Sequence, residues 1–519
     1  MASLGTNVSL AQESIFAFLT DPVTHPHARR IDTHAASVFL EGERALKIKR
    51  AVRFPFLDYS TLEKRKAACE DEIRINRLFA PQIYRRVLPI TRDDDGSLSI
   101  DGEGTPVEFA VEMTRFDENQ TIDHLAKAGA VDPGLVDGIA EAIAASHRNA
   151  HPAPTEPWLE SISGIIEDNT TALRSAACFP ASDVAELGTA SLAAFARVRS
   201  LLMQRGERGY VRRCHGDLHL ANIVLIEQRP VLFDAIEFDE KIASIDVLYD
   251  LAFPLMDFLR YGRQETANAL LNRYLDKTPV ENLDALAALP LLMSIRAAIR
   301  AHVLLARIER TRSNRTATVE DARTYFELAR ALIHPPAATL IAVGGLSGTG
   351  KSILARALAP LIMPQPGAVV LRSDVLRKQL FEVNEADRLP AAAYRPEVGE
   401  RIYDTLVQRA VRVISQGHSV VVDAVFARET ERTAIRSAAR EANIRFAGFF
   451  LVTDLATRQS RVARRVADAS DANAEVAEIQ EKYNIGAVDW AIIDASGAPE
   501  ETLKQCRTLI AKYTAAEAP

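Results

Sequence analysis

Cysteine is scarce in this 519-residue chain: four residues (Cys69, Cys178, Cys214, Cys506) lie far apart, with no CxxC pair among them. That spacing excludes a disulfide scaffold, argues against a zinc site, and reads as reduced, mostly packed thiols. No apolar run approaches the roughly 20 residues needed to cross a bilayer. The first twenty residues hold no Lys or Arg, so the basic start of a signal peptide is missing. Positive charge is not in excess either. The formal net charge of -7 argues against general nucleic-acid binding. No internal repeat is visible. What is present, 48% hydrophobic and 25% charged residues, matches a soluble globular protein, and the expected location is the cytoplasm. The length predicts two or three domains.

The clearest punctuation is His334-Pro335-Pro336-Ala337-Ala338, where a helical pattern (322–333) stops and an apolar strand begins. It predicts a first domain over 1–333 and a second over 338–519. Within the first, residues 31–113 read as strand-rich with one charged helix. Segments 37–40 and 44–49 flank a Glu41-Gly42-Glu43 turn as a hairpin, 61–79 reads as a helix ended by Pro81, and 107–113 as a strand. Asp93-Asp94-Asp95-Gly96 reads as a solvated turn. Residues 114–333 read as mostly helical. The second domain alternates strands (339–344, 368–373, 419–423, 446–452, 490–493) with helices, which predicts a parallel sheet covered on both faces.

Strand 339–344 runs into Gly345-Leu346-Ser347-Gly348-Thr349-Gly350-Lys351-Ser352 and then a helix. This is GxxxxGKS in the strand–loop–helix context the motif requires. Glycines let successive backbone N–H groups turn inward around phosphate oxygens, and the helix N-terminus adds its positive end. Ser347, Thr349 and the glycines form the cradle, Lys351 reaches the β and γ phosphates of ATP, and Ser352 holds Mg²⁺. Two further strands end in Asp374 (followed by Arg377) and Asp423 (followed by Arg428). In an open parallel sheet both face the phosphate loop, where an Asp holds metal through water or positions or deprotonates an acceptor hydroxyl. Arg458, Arg461, Arg464 and Arg465 follow the fourth strand at helical spacing. They read either as a clamp on a transferring phosphoryl group or as a solvated face paired with Asp468 and Asp471.

This half resembles the small P-loop kinases of the adenylate-kinase, gluconate-kinase and zeta-toxin kind, with an α/β P-loop NTPase fold. The resemblance implies ATP-dependent phosphoryl transfer, with Asp374 and Arg377 near the acceptor and the 458–465 arginines in a lid.

In the first half, His215-Gly216-Asp217-Leu218-His219-Leu220-Ala221-Asn222 precedes a strand, and a second strand delivers Asp234 twelve residues after Asn222. One carboxylate at an acceptor hydroxyl, with Asn and Asp on Mg²⁺, is the division of labour phosphoryl transfer needs. Here the chain resembles the aminoglycoside phosphotransferase family, including choline-kinase-like enzymes, whose loop pattern is HGDxHxxN. The resemblance implies an α+β protein-kinase-like fold with lobes at about 1–113 and 114–333. Asp217 is then the catalytic base, Asn222 and Asp234 the metal ligands, and His215 the organiser of the loop. Asp246 and Tyr249 to Phe253 match the family's buried acidic segment. The family's phosphate-binding lysine fits Lys47 or Lys49, with Lys47 slightly favoured, its helix partner fits Glu72, and the adenine hinge falls at Glu112-Met113. Glu237 and Asp239 read as a second metal site or as salt-bridge partners. One departure is plain: no GxGxxG loop precedes these strands, and Thr33 to Ser37 stands in its place, with Ser37 or nearby N–H groups as candidates to cover the phosphates.

Together the two resemblances predict a bifunctional ATP- and Mg²⁺-dependent phosphotransferase acting on small-molecule hydroxyls such as sugars, amino sugars or aminoglycoside-like compounds. The alternative is that one half, more readily the P-loop half, is a regulatory ATP sensor with little turnover.

Overall fold

The hairpin around Gly42 forms as Ala36–Glu41 and Arg44–Lys49, with Val38 opposite Lys47, in a computed structural model that describes residues 10–33, 35–54, 57–308, 315–384, 387–464 and 469–515. Gly42 sits at φ +56°, the left-handed conformation such a tight turn requires. The hairpin belongs to a six-stranded antiparallel sheet, ordered 29–32, 36–41, 44–49, 105–114, 84–92, 98–100. Period-two alternation puts Leu46 and Ile48 on one face, packed with Phe39, Leu88, Ile90 and the helix Leu10–Leu19. The opposite face carries Lys47 and Lys49 and is covered by the helix Leu62–Asn76, whose N-cap Thr61 accepts from the Lys64 N–H.

Arg29–Asp32 escaped the sequence reading, as did the adjacent pair Tyr84–Arg92 and Leu98–Ile100. The longer one carries three arginines and Pro89, which mask its alternation. Asp93 to Gly96 is the exposed turn between them.

The described chain packs as two compact units: Met1–Ile162 with Met203–Asp257, and Ser163–Leu202 with Phe258–Pro519. The antiparallel sheet and the 215–234 loop lie in the first. In the second, five parallel strands are ordered 369–372, 420–423, 339–345, 445–452, 491–494, each within two residues of the position read from sequence. The helices Lys351–Leu358 and Pro499–Ala515 bury Leu354, Leu358 and Cys506 against the sheet.

These units do not divide at the Pro335-Pro336 pair, because residues 258–333 bind the P-loop sheet. From the helix Gln264–Lys277, Asn268 donates to the Ala368 carbonyl (3.0 Å), and the Asn272 side-chain Oδ1 accepts from the Val370 N–H (2.7 Å). Gln264 donates to Pro360 O (2.5 Å), and Arg412 pairs with Asp284. Nothing in the local sequence of three polar side chains on a helix announces such a partner. Among the described residues, one helix, Leu289–Ile308, holds an 18-residue window apolar and long enough to cross a membrane, which Arg296 and Arg300 hide in the sequence. Its apolarity is accounted for by packing, since 67% of that window is buried.

Two outcomes are expected. A protease site inserted at 334–338 leaves 258–333 bound to the P-loop sheet after cleavage; elution of a free P-loop fragment in native size-exclusion chromatography would contradict this. The second concerns His418, 1% exposed, whose Nε2 donates to Gly367 O, and which burial lowers to about 4. The unfolded imidazole binds its proton first, so this group's contribution is whole above pH 6.5 and is lost as pH falls toward 4, up to about 3 kcal/mol. The difference in melting temperature between wild type and His418→Gln is therefore expected to shrink from pH 7.5 to pH 4.5.

Candidate active sites

Glu72 is the pivot of the first site. It is fully buried on the 62–76 helix and takes Lys47 on one carboxylate oxygen (2.8 Å) and Lys49 on the other (2.5 Å). Both lysines predicted from the strand are thus engaged, and they diverge beyond Glu72. Lys47 reaches Asp234 at 2.6 Å, while Lys49, 3% exposed, reaches Glu237 at 2.5 Å. Of the two readings of Glu237, the structure has the salt bridge. Protein crowding around Asp234 would raise its carboxyl, but the Lys47 charge and hydrogen bond outweigh it and hold it at about 2. Burial works against the charge on Lys47, and Asp234 and Glu72 more than restore it, raising its pKa well above the usual lysine range.

Asp234 adopts φ +60°, a left-handed conformation that a non-glycine residue holds only when its surroundings impose it. Those surroundings are explicit. The Asp234 N–H donates to the Tyr84 hydroxyl (3.1 Å), and the Asn76 side chain accepts from Ala235 N–H (2.7 Å) and donates to Ala235 O (3.1 Å). Sequence reasoning missed Tyr84 and Asn76. Asn76 is fully buried at the last turn of a charged helix, and an amide at such a place was the available signal.

The 215–222 loop is held from beneath. Asp250 accepts from the His215 N–H (3.1 Å) and the Gly216 N–H (3.0 Å), and Arg205 clamps the buried Asp246 with contacts of 2.7 and 2.9 Å. His215 Nε2 donates to Phe233 O (2.9 Å), which ties the loop to the residue before Asp234, and burial lowers its pKa so the ring is neutral. Asn222 donates to Asp217 O (2.9 Å), and the Asp217 carboxylate is 43% exposed with His219 at 3.6 Å. His147, Cys214 and Asp250 converge within 4.8 Å, but Asp250 is spent on the loop and burial raises the Cys214 thiol, so this is a packed triad rather than an open metal site. Met113 pairs with Ala45 and with Tyr84 in the strand 105–114. Ser37 is fully buried and gives its hydroxyl to Asp32 (2.6 Å), so that hydroxyl does not cover phosphates; His34 lies outside the described residues.

The second site lies where the central strand Thr339–Gly345 meets the helix Lys351–Leu358. A Cβ on Gly348, at φ +88°, would stand 2.6 Å from the Arg458 carbonyl, so the loop accepts only glycine there. Lys351 rests on Leu346 O (3.0 Å), Thr349 Oγ1 donates to the same carbonyl (2.8 Å), and the Ser352 hydroxyl donates to Asp423 (2.5 Å). Arg372, which the sequence reading passed over one residue before Ser373-Asp374, reaches both Asp423 (3.3 Å) and Ser352 Oγ (3.2 Å). Burial, and then the neighbouring Asp423, raise the Asp374 carboxyl above the ordinary range.

Ser347, Gly348, Gly350, Lys351, Ser352, Asp374, Arg377, Asp423 and Arg461 line one cavity of 1280 Å³; Gly345 and Thr349 support it without lining it. The arginines differ from the clamp reading. Arg458 is buried, pairs with Glu481 and donates to Ser347 O (3.4 Å), and Arg461 donates to Ala495 O (2.8 Å) and Gly497 O (3.0 Å). Both brace loops. Arg465 lies outside the described residues.

Asn76→Ala is expected to cost roughly 1–3 kcal/mol in urea unfolding, because the buried N–H and C=O of Ala235 lose their partners. An unchanged midpoint would contradict this account of the Asp234 turn.

An AAA domain family model matches residues 340–483. Uncharacterized proteins of Mycobacterium tuberculosis and Mycobacterium bovis are 28% identical over 501 residues, covering 93% of this chain and 96% of theirs. A choline kinase from Cryptosporidium parvum aligns with 59% of this chain and 88% of its own at 11% identity and TM-score 0.38. A gluconokinase from Sinorhizobium meliloti aligns with 34% and 93%, at 19% identity and TM-score 0.25. The chain joins a unit built on a six-stranded antiparallel sheet to an α/β unit built on a five-stranded parallel sheet with a phosphate loop, and the family-model match falls within the second.

Proposed function

We propose that this chain is an ATP-dependent phosphotransferase with two nucleotide sites, of which the first phosphorylates a small-molecule hydroxyl. The observation that carries the reading is Lys47 bridging Glu72 and Asp234, next to a loop that presents Asp217 to solvent and Asn222 beside it. In this reading Lys47 orients the α and β phosphates, the strand end at Met113 meets adenine, and Asp217 takes the proton of the acceptor hydroxyl. Asn222 and Asp234 offer oxygen donors suited to Mg²⁺. The metal, when bound, neutralises charge on the phosphates. Lys49 is left to a structural task, holding Glu237 and so the segment after Asp234.

In the second site Lys351 and the loop amides hold the phosphates, and Ser352 and Asp423 form the matching donor set for Mg²⁺. Asp374, whose carboxyl burial and the neighbouring Asp423 push above the ordinary range, lines the same cavity and suits accepting the proton of an acceptor hydroxyl. Arg458 and Arg461 favour a second reading, in which this half senses ATP: Arg458 is spent on Glu481 and the Ser347 carbonyl and Arg461 on the Ala495 and Gly497 carbonyls, leaving fewer charges for a transferring phosphoryl group.

Asp217→Ala is expected to lower first-site turnover by about 10²–10⁴-fold while nucleotide binding there persists; retention of activity within tenfold would remove Asp217 as the base. Lys351→Ala is expected to reduce a calorimetric ATP titration from two equivalents to one. Two remaining equivalents would remove the phosphate-loop assignment.

A further inference from the structure

One backbone amide of the phosphate loop is already occupied. The Ser347 N–H is buried and donates to the side-chain carbonyl of Gln480 at 2.7 Å, a residue 133 positions further along the chain. Gln480 closes the helix Ala474–Gln480. The next residue, Glu481, pairs with Arg458, which in turn donates to Ser347 O (3.4 Å). Ser347 is therefore held at its N–H and at its carbonyl, from two helices that follow the fourth strand of the sheet.

Bracing the loop uses half of the Gln480 side chain. A primary amide accepts on its oxygen and donates two hydrogens from its nitrogen. A backbone N–H can only donate, so its bond to Gln480 fixes which end of the amide is oxygen and which is nitrogen. Among the described residues, the Nε2 end bonds to nothing. Gln480 is 7% exposed, and it borders the P-loop cavity together with Ser347, Gly348 and Lys351. Leaving a donor unmade on a side chain this buried is costly, which marks a place for a ligand oxygen. Lys351 indicates which oxygen. Its Nζ rests on Leu346 O (3.0 Å), the residue before Ser347. In this motif the lysine reaches the β and γ phosphates, while the loop amides cradle α and β. Gln480 thus stands at the end of the loop where the lysine works.

We infer that Gln480 is a specificity-determining residue of the P-loop site: its Nε2 donates to an oxygen of the terminal phosphate of a nucleoside triphosphate and so separates triphosphate from diphosphate. The side chain acts as a relay. The Ser347 N–H polarises the amide through its carbonyl, which strengthens the Nε2–H donor, and the chain of bonds ends on an anionic oxygen. Being neutral, the amide attracts at hydrogen-bond range and not beyond, so it favours the nucleotide whose oxygen reaches it. Ile479 and Tyr483, exposed on the same segment, border the cavity as well, so the contact ties that wall to the presence of the terminal phosphate. The inference rests on the P-loop half binding ATP, and it holds whether that half turns over or senses.

Full-length protein would be titrated calorimetrically with a non-hydrolysable ATP analogue and with ADP, the P-loop equivalent being the one that Lys351→Ala removes. Gln480→Met keeps the length of the side chain and loses both of its ends. Gln480→Glu keeps an oxygen for the Ser347 N–H and loses the donor. Both variants are expected to weaken the triphosphate about tenfold or more at that equivalent and to leave ADP within about threefold. Retained ADP binding also shows that the P-loop half of each variant is folded. A residue that merely braces the loop would serve both nucleotides through the same amides, so equal weakening of triphosphate and ADP in Gln480→Met overturns the inference. Unchanged triphosphate affinity in Gln480→Glu overturns it too. If Lys351→Ala still binds two equivalents, the nucleotide reading of this half falls and the inference falls with it. If Lys351→Ala loses its equivalent and the preference for triphosphate survives in Gln480→Met, the role of Gln480 alone is removed.

Discussion

A fully buried carboxylate, Glu72, sets the terms for the first half of this molecule. A lone ionised group there would cost several kcal/mol in desolvation, and the structure answers with two lysines from one strand. Because Lys47 and Lys49 are two residues apart they share a face, and each continues to a different acid of the 234–237 segment. One neutralisation problem thus fixes the helix, the sheet and the 234–237 segment relative to one another. Asp250 and Asp246 do similar work beneath the 215–222 loop, where backbone N–H groups and Arg205 satisfy acids that are themselves buried.

The second half solves its electrostatics at the ends of parallel strands. Strands 339–345, 369–372 and 420–423 end together, so the phosphate loop, Arg372 and Asp423 meet without any long-range adjustment. The arginines of the 455–463 helix are drawn beneath this arrangement as supports. Their guanidinium groups find loop carbonyls, which is a packing role that helical spacing alone does not distinguish from a clamp.

Much of this was legible beforehand where chemistry and pattern coincide. The strand–loop–helix context around Lys351 and the HGDxHxxN loop are local, and the P-loop strands are continuous apolar runs because both faces are covered. The misses are of another kind. Tyr84–Arg92 is a strand whose arginines and proline hide its period, and Asn76 and Tyr84 act on Asp234 across long stretches of chain. Lys47 and Lys49 could not be separated by position because the fold uses both. The proline pair at 335–336 is a real helix stop, yet chain punctuation reports only on the backbone that carries it. It says nothing about Asn268 and Asn272 reaching a strand about a hundred residues away.

Asn272 has a further bearing on how this arrangement could have been assembled. Strand 369–372 is the outermost of its sheet, and an outermost strand offers unpaired backbone groups to any passing chain. Asn272 and Asn268 take up the Val370 N–H and the Ala368 carbonyl, so part of that border is closed by side chains belonging to an earlier segment. A P-loop module copied without residues 258–333 would carry that border bare, open to recruiting a neighbouring molecule as an extra strand. Selection against such self-recruitment would keep the two segments inherited together, independently of any shared chemistry.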